Sequence, residues 1–117
     1  MTDTMQERSP RMGHLAPETY DTGMRVDQFD LGAAVPSGVP FEGSSFIIDA
    51  GGASPVDVHS VHEMWMIASG EGELRYDGQS MRIRPGDVFY FAPMKTHEVR
   101  NDGAALMTIF SVWWPST

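Results

Sequence analysis

From Gly51 onward this sequence is broken again and again by pairs and triplets that favour turns, and the segments between them are too short for anything but strands. The breaks are Gly51-Gly52, Gly70-Glu71-Gly72, Asp77-Gly78, Pro85-Gly86-Asp87 and Asn101-Asp102-Gly103. Glycine and Asn/Asp tolerate positive φ, and proline presets the first corner of a turn. Between the breaks lie Ser45-Phe46-Ile47-Ile48, Met64-Trp65-Met66-Ile67, Glu73-Leu74-Arg75-Tyr76, Met81-Arg82-Ile83, Val88-Phe89-Tyr90-Phe91 and the run from Leu106 to Trp114. These are rich in the β-branched and aromatic residues that pack well on a pleated surface. No stretch repeats its apolar residues at helical spacing, so no helix is expected. Many short strands with regular turns exclude a βαβ design and leave a sandwich or barrel. The expected fold is all-β, an antiparallel jelly-roll β-barrel.

Alternation predicts which side chains point inward. In Leu74-Arg75-Tyr76 and Met81-Arg82-Ile83-Arg84 the arginines alternate with apolar residues, as on a strand with one wet and one packed face. Leu74, Tyr76, Met81 and Ile83 should therefore face the core. Asp77-Gly78 between them predicts a type I′ hairpin over about residues 72 to 84.

At 117 residues the chain has the length of one domain. Residues 1–24 mix Pro10, Pro17, Gly13, Gly23 and scattered charges without a period, which predicts a flexible or partner-docked N-terminal arm. Residues 25–117 would form the barrel domain. Sixteen acidic and eight basic side chains give a net charge of −8, which argues against nucleic acid and anionic membrane surfaces as partners. The first residues carry acids and no apolar core of a signal peptide, so a soluble, cytoplasmic protein is expected. Cysteine is absent, so any metal must be held by imidazole and carboxylate.

The chemistry-bearing residues cluster. Three of the four histidines, His59, His62 and His97, fall in the strand-rich region, with Glu63 among them and Asp57 two residues before His59. On an extended strand Asp57 and His59 would face the same side, Glu63 would open the next strand, and barrel closure would bring His97 alongside. Two imidazoles with one or two carboxylates suit Fe(II), Mn(II), Ni(II) or Zn(II) and leave coordination positions open for substrate or water. The plainer alternative for these residues is turn and surface polarity. Asp57 either ligates or orients His59 from behind. His62 lies out of phase with His59 and reads as a rim residue, or as a substitute for Asp57. His14, in the arm, carries no role.

The spacing as a whole resembles the two motifs of the cupin family. Gly51, Asp57, His59, Glu63 and Gly70 fall on the first, and Gly86, His97 and Asn101 on the second. The customary proline and glycine of the second motif are Ala92 and Met94 here, with Pro93 between them. Cupins commonly hold a metal with three histidines and a glutamate. The resemblance thus implies His59, Glu63 and His97 as ligands, with Asp57 in the place of the remaining histidine. It also implies a cupin-like double-stranded β-helix over about residues 45 to 112 and one divalent transition metal, Fe, Mn, Ni or Zn. With these come a small-molecule substrate or ligand inside the barrel and a homodimer. The implied function is a metal-dependent enzyme of oxygenase, isomerase, lyase or cyclase type. The alternative is a non-catalytic cupin that binds or senses a small molecule.

Two further groups of residues carry expectations. Tyr76 and Tyr90 are candidates for proton transfer beside the metal, against the plainer reading of core tyrosines with bonded hydroxyls. Trp65, Met64, Met66, Met81, Met94 and Met107 would line an adaptable pocket or fill the core. Trp113-Trp114 at the C-terminal end calls for burial, at a subunit interface or on the chain's own barrel mouth.

Overall fold

Alternation of inward and outward side chains is realised in nine strands among residues 9–117, the residues that the computed structural model describes. They are β1 (Glu18–Tyr20), β2 (Met24–Gln28), β3 (Glu42–Ile48), β4 (His62–Ser69), β5 (Gly72–Tyr76), β6 (Gln79–Ile83), β7 (Val88–Phe91), β8 (His97–Arg100) and β9 (Met107–Trp114). Every pairing is antiparallel, in a six-stranded sheet ordered β1-β2-β3-β9-β4-β7 and a three-stranded sheet ordered β6-β5-β8. This is the expected antiparallel jelly roll, with the two sheets packed on one core. The large sheet contributes Phe46, Ile48, Trp65, Ile67, Phe91, Met107 and Ile109, and the small sheet Leu74, Ile83 and Val99. Each such burial removes apolar surface worth roughly 1.5–3 kcal/mol from water.

The hairpin forms where the sequence places it. Tyr76 pairs with Gln79, and the two turn residues have φ of 50° at Asp77 and 83° at Gly78, the signs a type I′ turn requires. Leu74 and Ile83 are buried, and Tyr76 and Met81 pack partly buried against the same core. Gly70 has φ 89°, and a Cβ there would lie 2.7 Å from Met107 Cα, so only glycine lets β4 turn into β5 against the start of β9. Asn101, fully buried, donates from Nδ2 to the Ile48 and Ala105 carbonyls and accepts from Gly103 N–H. It ties the end of β8 to the end of β3.

Three local features differ from expectation. A single helical turn, α1 (Leu31–Ala34), forms after Asp30, whose carboxylate accepts from Ala33 N–H and so supplies a cap that overrides the lack of helical periodicity. Residues 54–61 form no strand, because Pro55 cannot donate to a ladder. The segment is instead held to β8 by Ser54 and Asp57. Of the arm expected over residues 1–24, residues 1–8 lie outside the described residues, and Glu18–Tyr20 pairs with β2 of the same chain. No helix among the described residues is long and apolar enough to cross a membrane.

Candidate metal centre

Inward phase on β4 is shared by Glu63, Trp65 and Ile67, which plants a carboxylate at the edge of the core. Its Oε2 accepts from Trp65 Nε1 at 2.9 Å and from Ser111 Oγ, inward on β9, at 2.6 Å. Its Oε1 lies 3.3 Å from His97 Nε2, without hydrogen-bond alignment. Burial pushes the Glu63 carboxyl up, but the His97 ring, Ser111 and Trp65 outweigh it and hold the group below the usual carboxylate range.

His97 opens β8 and is buried. Phe91 stacks on its ring with centroids 4.6 Å apart, and Trp65 meets it edge-on at 5.4 Å. The imidazole therefore has one plane available. Asp57 is fixed to it through the backbone, each residue's N–H donating to the other's carbonyl at 3.0 Å. His59 follows, with its carbonyl accepting from Met94 N–H at 2.6 Å and its Nε2 3.9 Å from Asp57 Oδ2. One donor atom from each of Asp57, His59 and His97 lies within 4.8 Å of the others. Irregular backbone, not a strand, brings these three together, while Glu63 lies outside that group and meets His97 from the other sheet.

These residues fit a divalent cation. Glu63 Oε1 and His97 Nδ1 are buried without a hydrogen-bond partner. Buried polar atoms are rarely left so, and a cation at either one would supply the partner that it lacks. The donor set is nitrogen and oxygen without sulfur, as borderline transition metals accept.

The structure places the other candidates elsewhere. His62 points to the opposite side of β4, where its ring stacks on Trp114 and its Nδ1 lies 2.7 Å from the Tyr90 hydroxyl. Tyr90 is half exposed on that outer face, and the Tyr76 hydroxyl accepts from Ala92 N–H. Neither tyrosine lines the cavity beside the cluster, which encloses about 570 Å³. The phenol that does is Tyr20, from the segment with no readable period. Burial, then Glu18, whose carboxylate it bonds at 3.4 Å, and then Asp57 push its hydroxyl pKa up. Of the methionines named from sequence, Met107 is core, while Met64, Met66 and Met94 are exposed, and Trp65 alone of that group reaches the cavity. Trp113 lines the cavity and Trp114 stacks on His62, so both indoles pack on their own chain. His14 lies against Phe29 instead of the cluster.

Comparison with known proteins agrees with this fold. A cupin domain family model matches residues 44–113. A Cupin 2 conserved barrel domain protein from Salinispora arenicola is 30% identical over 82% of this chain and 79% of its own, with a TM-score of 0.71. The cupin domain of an XRE family transcriptional regulator from Enterobacter cloacae is 24% identical, covering 81% of this chain and 99% of its own, with a TM-score of 0.68. A Thermotoga maritima protein described as a predicted oxalate decarboxylase is 18% identical over 92% and 96% of the two chains, with a TM-score of 0.72. The last two likenesses speak to the fold alone.

Proposed function

Since the chain belongs to the cupin family, we propose that it is a metal-dependent enzyme that acts on a small organic molecule in the cavity beside Asp57, His59, Glu63 and His97. The observation that carries this is the buried, unpartnered Glu63 Oε1 facing His97, next to two further donors. A divalent transition ion held by these four residues would supply Lewis-acid or one-electron chemistry. The chain's own residues do the rest. Trp65 and Ser111 fix one oxygen of Glu63 and leave the other free. Phe91 and Trp65 orient His97 and exclude water from its buried side. His59, partly exposed, leaves the solvent side open for a ligand to enter. The Tyr20 hydroxyl, which donates to Glu18, stands in the same cavity.

Elemental analysis of protein purified without a metal-affinity step tests this. One equivalent of Fe, Mn, Ni or Zn, lost in the His59→Ala/His97→Ala double variant, is expected. Protein that neither carries such an ion nor takes one up on reconstitution overturns the reading. A second reading is a cupin that binds or senses its ligand without turnover. It is favoured if the protein carries no metal, whereas the two carboxylates, which would weaken a bound ion as a Lewis acid, tilt the enzyme reading towards redox or substrate-chelating chemistry. The same double variant separates the two, since a sensor keeps its ligand affinity.

A further inference from the structure

The walls of the 570 Å³ cavity carry three carboxylates, Glu18, Asp57 and Glu63, and no lysine or arginine among the described residues. Four of the chain's cations are committed elsewhere: Arg25 to Asp27, Arg75 to Glu73, Arg82 to Asp102 and Lys95 to Asp77. Four aromatic side chains, Tyr20, Phe46, Trp65 and Trp113, share the remaining walls with small aliphatic residues and serines. Glu18 and Tyr20 are exposed at the outer end, while Glu63 and Trp65 are buried at the inner end. Glu63 offers the cavity a buried oxygen with no partner. A divalent ion between Asp57 and Glu63 would balance those two charges and leave Glu18 uncompensated. Without the ion, all three remain. In that ion-free state the cavity attracts cations and repels carboxylates, and low-dielectric walls focus that field.

We propose that the ligand is an organic amine bearing an aromatic group. Its ammonium faces Glu18 and the Tyr20 ring at the mouth, and its apolar part lies against Phe46, Trp65 and Trp113. Aromatic faces add to the attraction, because a ring quadrupole favours a cation over its plane. Small dicarboxylates, oxalate among them, have no cationic side chain to meet here. The inference rests on the cavity being the working site proposed above, and it does not require that the metal be bound.

The test is a titration of the full chain, metal-free and metal-reconstituted, with three probes on one skeleton: 2-phenylethylamine, 2-phenylethanol and phenylacetate. Quenching of tryptophan fluorescence reports binding, since Trp65 and Trp113 line the cavity. In the metal-free protein the amine should bind about tenfold or more tighter than phenylacetate, with the alcohol between. Glu18→Gln should weaken the amine several-fold and leave the alcohol unchanged, because Glu18 lies outside the metal cluster. Phenylacetate binding as tightly as the amine, an amine affinity indifferent to Glu18→Gln, or no binding of any probe overturns the proposal. A protein that shows the amine preference yet takes up no metal overturns the enzyme reading and supports this one.

Discussion

Met94 stands where the second motif customarily has glycine, and its backbone keeps the glycine-like shape, with φ at 65°. The left-handed region costs a residue with a Cβ about 1–2 kcal/mol, and glycine gives back roughly half of that through its freer unfolded chain. What holds Met94 there is its N–H, which meets the His59 carbonyl at 2.6 Å. Met94→Gly should therefore raise stability by about 0.5–1 kcal/mol in urea unfolding and leave metal stoichiometry unchanged. Glu63 gives a pH signature. Its folded pKa lies below the ordinary value, so its stabilisation is full above the ordinary carboxylate range and is lost as pH falls through the lowered value. In metal-free protein, Glu63→Gln should lower the melting temperature near neutrality, and the gap to the parent should close on acidification. Motif spacing made His59, Glu63 and His97 legible as candidates from the sequence. Tyr20 was not legible, because its place in the cavity comes from the pairing of Glu18–Tyr20 with β2, and three residues are too few to show a period.

At the scale of elements, turn chemistry was the most readable signal. The β5–β6 hairpin follows from Asp77-Gly78 because both positions demand positive φ, which few residue pairs tolerate. The strand expected to carry Asp57 and His59 does not form, because alternation alone takes no account of Pro55, which cannot donate to a ladder. Two glycine substitutions separate backbone freedom from close approach. At Gly78 a Cβ meets nothing within 4 Å, so Gly78→Ala should cost only the conformational strain of about 1 kcal/mol. At Gly70 the same methyl would collide with Met107 and the Leu106 carbonyl. Gly70→Ala should cost several times more, and chemical denaturation of the two variants in parallel checks the ranking. Asn101→Ala would leave the Ile48 carbonyl without its Asn101 donor, and a loss of about 2–4 kcal/mol is expected from the same measurement.

Across the whole molecule, the candidate ligands come from both sheets: Glu63 from the large one, His97 from the small one, and Asp57 and His59 from the segment that bridges to β8. An ion there would add a tie between layers already joined by apolar packing and by the Asn101 and Tyr76 hydrogen bonds. Chelation should lower the melting temperature, and reconstitution at a hundredfold excess over Kd should restore about 2.7 kcal/mol. The jelly-roll class was legible from turns and composition, but the order of strands was not, since nothing local tells β9 to lie between β3 and β4. The reciprocal amide pair between Asp57 and His97 makes that seam a latch. Deuterium should enter these two amides together, slowly when the ion is held and fast once it is stripped, so that two hydrogens report whether the halves of the barrel are fastened.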